Sequence, residues 1–118
     1  MNESGTTIQH FHVNEPLIVL DITKTREEWG CQESVESGWK MNVHRAQKCA
    51  LMLARVGDEV VGAYRPVAGS WYEAQDDPGR WLFRVERAND VWDHYVGKRV
   101  PPGTLNESNR PAVRYLGE

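Results

Sequence analysis

Two apolar runs, residues 50–56 and 60–66, flank the polar triplet Gly57-Asp58-Glu59. Glycine followed by aspartate between strand-forming runs is hairpin chemistry, because a tight reversal needs the left-handed backbone that glycine adopts without strain. The pattern predicts a pair of antiparallel strands. Upstream, residues 17–22 read Leu-Ile-Val-Leu-Asp-Ile, a nearly unbroken apolar run that predicts a strand covered on both faces. Residues 80–87 alternate, with Trp81, Phe83 and Val85 on one side and Arg80, Leu82, Arg84 and Glu86 on the other. This predicts a third strand in the hairpin's sheet. Residues 112–116 predict a last strand. Residues 8–13 fit a short strand or extended arm, broken by Asn14-Glu15-Pro16.

The helical signals are short. Thr25-Arg26-Glu27-Glu28 has the form of a capping box, and Gly30 stops the helix it would start. Residues 32–38 turn to Glu, Ser and Gly and predict a surface loop. Asn42 predicts a cap for a second helix over residues 43–48, with Val43, Ala46 and Ala50 on one face. Asn89 or Asp90 predicts the cap of a third, which buries Val91, Trp92, Tyr95 and Val96, with Gly97 as the left-handed residue beyond its end and Pro101-Pro102-Gly103 as the stop. Residues 68–79 read as a long connection anchored by Trp71 and Tyr72, and residues 1–7 as a loose polar terminus. The expected fold is α+β: one small domain over residues 1–118, with a strongly bent, mostly antiparallel sheet or partly open β-barrel and two or three short helices.

A chain of 118 residues with 40% hydrophobic and 26% charged side chains can bury one core without disulfide or metal staples. Cys31 and Cys49 are too far apart for a redox pair, which predicts a reduced, cytoplasmic protein. The N-terminus has neither the basic nor the apolar region of a signal peptide, and no run is long enough to span a membrane, so membrane partners are not expected.

The formal net charge of -3 argues against a protein that coats nucleic acid by bulk electrostatics. Its distribution is uneven: residues 1–38 hold seven acidic and two basic side chains, and residues 39–99 hold eight acidic and ten basic. The second part can therefore carry a local basic surface.

No nucleophile elbow, Walker A loop or dinucleotide-binding turn is present, and no cofactor is implied. His10 and His12 would share one side of a strand, but two imidazoles without a third ligand make a poor metal site. Cys49 lies five residues from His44 and would not face it on a helix, so a buried structural thiol is the reading. Glu73, Asp76 and Asp77 lack the ligand pattern of a calcium loop and read as solvated acids.

Five tryptophans are present, and aromatic faces either fill a core or stack on a partner. Trp81 and Trp92 fall on expected core faces. Trp39 and Trp71, flanked by loop composition, are the candidates for a binding surface, and Lys40, Arg45, Arg65, Arg80, Arg84 and Lys98 are the candidates for phosphate contacts around it. A core covering and a solvated charged face are the alternatives.

Trp39, a short helix and then Val56-Gly57-Asp58-Glu59-Val60-Val61 resemble the "W … G-D-x-V" layout of PUA-like modules, including the ASCH and EVE groups. Over residues 39–102, Val61-Gly62-Ala63-Tyr64, Gly79-Arg80-Trp81-x-Phe83 and Tyr95-Val96-Gly97-Lys98 also resemble small bacterial domains. The first resemblance implies a compact β-barrel that reads RNA or modified DNA bases without catalysis, and no pocket residue of that family maps onto this chain. The expected function is a non-catalytic module that recognises nucleic acid, either RNA or modified or single-stranded DNA, through exposed Trp and Arg/Lys side chains. The alternatives are a protein-interaction or regulatory domain, homodimeric in its simplest form, and a small hydrolase-like enzyme that gathers His44 or His94 with a carboxylate.

Overall fold

Leu17 to Leu20 are fully buried, and everything else is arranged around the strand that holds them. The computed structural model describes residues 9–101, 104–105 and 112–117. The terminus 1–7, Ile8 and the Pro102-Gly103 pair lie outside the described residues. Described in chain order, the elements are β1 (Leu17–Asp21), α1 (Arg26–Trp29), α2 (Cys31–Val35), β2 (Trp39–Lys40), α3 (Val43–Ala46), β3 (Leu51–Val56), β4 (Glu59–Pro66), β5 (Tyr72–Glu73), β6 (Arg80–Leu82), β7 (Val85–Arg87), α4 (Trp92–Tyr95) and β8 (Val113–Leu116).

Five strands form a mixed sheet in the order β7-β4-β3-β1-β8, and a second sheet runs β2-β6-β5. The class is α+β, and the described strands close no barrel. β1 lies parallel to β3, with Leu17 opposite Leu51 and Asp21 opposite Arg55, and the other described strands pair antiparallel. The central strands obey the period of two. Leu17, Val19, Leu51 and Leu53 pack into one core cluster with Phe11, Tyr95 and Val100. Ile18, Leu20, Met52 and Ala54 face the opposite cluster, with Trp39, Ala46, Phe83 and Val85. An apolar run covered on both faces is what this placement requires.

The 50–66 hairpin forms as expected, with Gly57 at φ 58° in its turn. A register shift between Ala54 and Arg55 places Arg55 opposite Val60 and bends the pair. Asn42 caps α3 by accepting from the amides of His44 and Arg45, and Gly97, at φ 91°, follows the C-terminus of α4. β8 returns beside β1. His10 bridges Arg99, and the Phe11 amide donates to the Arg99 carbonyl, so the segment before β1 is an extended arm.

Four expectations are corrected. Thr25 stands at the N-cap of α1, but its side chain makes no cap hydrogen bond, because its backbone is already helical at φ -109°, ψ -15°. The stretch read as a loop contains α2, whose Ser34 and Val35 are buried. Residues 80–87 are not one strand. The backbone leaves the ladder at Phe83-Arg84, where the Arg84 carbonyl accepts from Val67 and its amide donates to Ser70 Oγ, so β6 and β7 join different sheets. Neither Asn89 nor Asp90 caps α4: Val91 occupies that position, and Asp90 pairs with Arg65 instead. No described helix is long and apolar enough to cross a membrane.

Candidate functional site

The short sheet brings two basic side chains together. Lys40 on β2 stands opposite Arg80 on β6, next to the pair Trp39 and Trp81. Two cations side by side repel, and Asp77 resolves the conflict. Lys40 Nζ donates to Asp77 Oδ1 and to the Pro78 carbonyl, while Arg80 Nε donates to Asp77 Oδ2 at 2.6 Å. Arg80 Nη1 also donates to the Gly38 carbonyl at 2.9 Å. The hydrogen bond from Lys40, followed by that from Arg80, holds the Asp77 carboxyl below the usual carboxylate range.

Lys40 and Arg80 open onto a cleft of ≈ 470 Å³ between the end of β1, α1 and the short sheet. That volume is within the range of about 300–1,000 Å³ common to small-ligand sites. Lys24, Trp29 and Trp39 line it as well, as do Asp21, Ser37 and Gly38. Trp29 is 44% exposed, on a helix with no buried residue. Trp39 is a wall of the core, not a free ring face: it is 9% exposed, and its indole N–H donates to the Val35 carbonyl at 2.8 Å.

A second recess of ≈ 360 Å³ has Arg65 and Trp71 in its lining. Trp71 is half-buried and tilts against Phe83, with ring centroids 4.6 Å apart. Arg65 is held by Asp90 at 2.8 Å, by Glu15 at 3.4 Å and by the Ala50 carbonyl. Its bond to Asp90 raises the Arg65 pKa and lowers that of Asp90. Arg45, Arg84 and Lys98 line neither cavity. The Arg45 guanidinium lies 4.1 Å from the centre of the Tyr115 ring, Arg84 is exposed, and Lys98 is half-buried.

The structure thus gathers Trp39, Lys40 and Arg80 at one cleft and Arg65 and Trp71 at another recess. Sequence reasoning missed Lys24 and Trp29. A signal for Trp29 existed: α1 reads Arg-Glu-Glu-Trp, and a single apolar residue without a partner three or four positions away on its helix has no stripe to join.

The other candidate chemistries occupy separate places. The Cys49 thiol is buried and donates to the Arg45 carbonyl, whereas His44 is exposed. His10 Nδ1 contacts the Val100 carbonyl, and His94 Nε2 contacts Asn14. Glu73 accepts from the Gly79 amide, which closes the turn that Asp77 braces. Among the described residues, no group of three or more His, Cys, Asp or Glu side chains stands ready for a metal ion. No family model, curated protein or solved structure matches the chain.

Proposed function

We propose that this chain acts by binding, and that its partner is nucleic acid held at the cleft beside α1. The observation that carries the reading is the convergence of Lys24, Lys40 and Arg80 with the exposed ring of Trp29 on one cavity. Stacking on an aromatic face and charge attraction of phosphate are the two interactions that proteins combine to hold unpaired nucleotides. The resemblance to PUA-like modules that Trp39 and residues 56–61 carry points to the same partner class. Fold likeness alone does not assign a ligand. The test is titration of the intrinsic tryptophan fluorescence with short DNA and RNA at low and moderate salt. Saturable quenching that weakens with salt is expected; a flat response from folded protein at low salt overturns the proposal.

A second reading is an interaction module, and one observation favours it: Tyr72, on edge strand β5 beside Trp71, is 58% exposed. An aromatic on an open strand edge suits pairing with a second chain. Sedimentation that depends on concentration, and that Tyr72→Ala abolishes, would support it over the first.

A further inference from the structure

We propose that the cleft takes single-stranded nucleic acid with little preference among bases, one base stacking on Trp29 while Lys24 contacts the adjoining phosphate. This rests on the nucleic-acid reading above and divides the lining into groups that are already engaged and groups that are not.

Reading a base edge requires fixed donors and acceptors that are open to the ligand. Most of those in this cleft are engaged within the protein. Asp21 Oδ1 accepts from the amide and hydroxyl of Thr23, and Oδ2 faces Arg55. The Ser37 hydroxyl donates to the Ser34 carbonyl, and the Gly38 carbonyl accepts from Arg80. Lys40 and Arg80 share Asp77.

Trp29 and Lys24 are different. Both are exposed and line the cleft together with Thr25, and Lys24 makes no ion pair among the described residues. A ring face stacks on any base, and an ammonium group attracts a phosphate of any nucleotide. Neither reads sequence. A duplex offers the ring only its terminal pairs, whereas a single strand offers every base.

Fluorescence anisotropy of the full chain with labelled oligo(dT), oligo(dA), oligo(dC), oligo(rU) and one mixed-sequence duplex tests this. The single-stranded DNAs should bind within about fivefold of one another and the duplex at least about tenfold more weakly, because stacking tolerates sequence but needs an unpaired base. The oligo(dT) and oligo(rU) arms separate a DNA from an RNA ligand, either of which supports the proposal. Trp29→Ala should weaken every single strand by roughly 5- to 150-fold, and Trp29→Phe should recover much of that. Lys24→Gln should reduce the slope of log affinity against log salt by about 0.7, the share of one phosphate contact. α1 buries no residue and Lys24, just before it, is exposed, so these variants test the site and not folding. A strong preference for one base, equal binding of duplex, or an unchanged Trp29→Ala protein overturns this inference and leaves the nucleic-acid reading standing. Binding of none of the probes at low salt removes both.

Discussion

Arg55 and Asp21 face each other across the parallel register of β3 and β1, with guanidinium and carboxylate 3.4 Å apart. Arg55 is only 1% exposed, in a strand whose other residues are mostly aliphatic. Its Nη1 also donates to the Gly57 carbonyl at 2.8 Å, so the same side chain ties the hairpin turn to the end of β1. Asp21 in turn holds Thr23, whose hydroxyl accepts from the Gly57 amide at 3.1 Å. The arrangement fixes where the chain leaves β1 for Lys24 and α1, which is one wall of the cleft.

Asp21→Asn should therefore destabilise the protein. It leaves a buried guanidinium without its full counter-charge, which costs about 3 kcal/mol, the lower end of the range for a broken buried pair, because Asp21 keeps partial access to water. The double variant Asp21→Asn/Arg55→Met should recover most of that loss, since with both charges removed no buried guanidinium is left to be paired. Urea unfolding midpoints of the two variants decide this. An Asp21→Asn midpoint equal to that of the native chain would show that Gly57 and the remaining contacts of Arg55 satisfy the charge.

Asp77→Asn should strengthen binding of single strands and steepen its salt dependence. The carboxylate now holds Lys40 and Arg80, and neutralising it frees two cations beside the cleft. The slope of log affinity against log salt should rise by up to about 1.4, twice the share of one phosphate. Stability should respond in the opposite sense. A carboxyl whose folded pKa is lowered contributes above its ordinary pKa and stops contributing as pH falls through the folded value. The stability gap between native and variant should thus be present at neutral pH and close on acidification. A gap that stays constant down to strongly acidic pH would contradict the assignment.

The strands were legible where one local rule decided them. The Gly57 turn, the doubly covered run around Leu20 and the return of residues 113–116 all follow from hydrophobic pattern and turn chemistry. The parallel pairing of β1 with β3 did not, because register across a crossover depends on what both faces meet. The split of residues 80–87 was hidden for a related reason: alternation continues through Phe83 and Arg84, and only the bonds to Val67 and Ser70 reveal the departure. At the cleft, Lys40 and Arg80 were identified individually, but not that a common acid joins them. Trp29 stands in a four-residue helix whose clearest signal, Thr25, concerns the backbone, and the polar flanks of Trp39 leave its core and surface placements equally open in the sequence.

Gly62→Ala should destabilise the hairpin. A β-carbon there would stand 2.6 Å from Tyr64 Cε2 and 2.9 Å from its hydroxyl oxygen. The ring cannot easily swing away, since it packs edge-on against Trp92 with centroids 5.9 Å apart. Overpacking of this kind costs about 1–3 kcal/mol. Thermal unfolding of Gly62→Ala alone and combined with Tyr64→Leu measures it. The second substitution removes the obstructing ring, so the penalty of the first should shrink in that background; an equal penalty in both would place its cause elsewhere.

Alkaline pH should weaken the fold through Tyr64. Its phenol is pushed up from the ordinary value of 10.0 to about 12, chiefly by burial and next by the charge of the neighbouring Cys31. Burial disfavours the phenolate, so the folded chain keeps a proton that the unfolded chain releases earlier. By linkage, stability is level below about pH 10, the unfolded-state value, and falls as pH rises towards about 12. Tyr95 adds to the same trend, since burial and then Glu15 raise its pKa too. Denaturant midpoints of native and Tyr64→Phe protein across this window separate the contributions. The variant cannot form a phenolate at position 64, so its midpoint should decline less steeply, with the residual slope carried in part by Tyr95. Phenolate absorbance gives an independent reading, with a late-titrating class that loses one member in Tyr64→Phe. Identical alkaline profiles for the two proteins would mean that the Tyr64 hydroxyl meets water as readily in the folded chain as in the unfolded one.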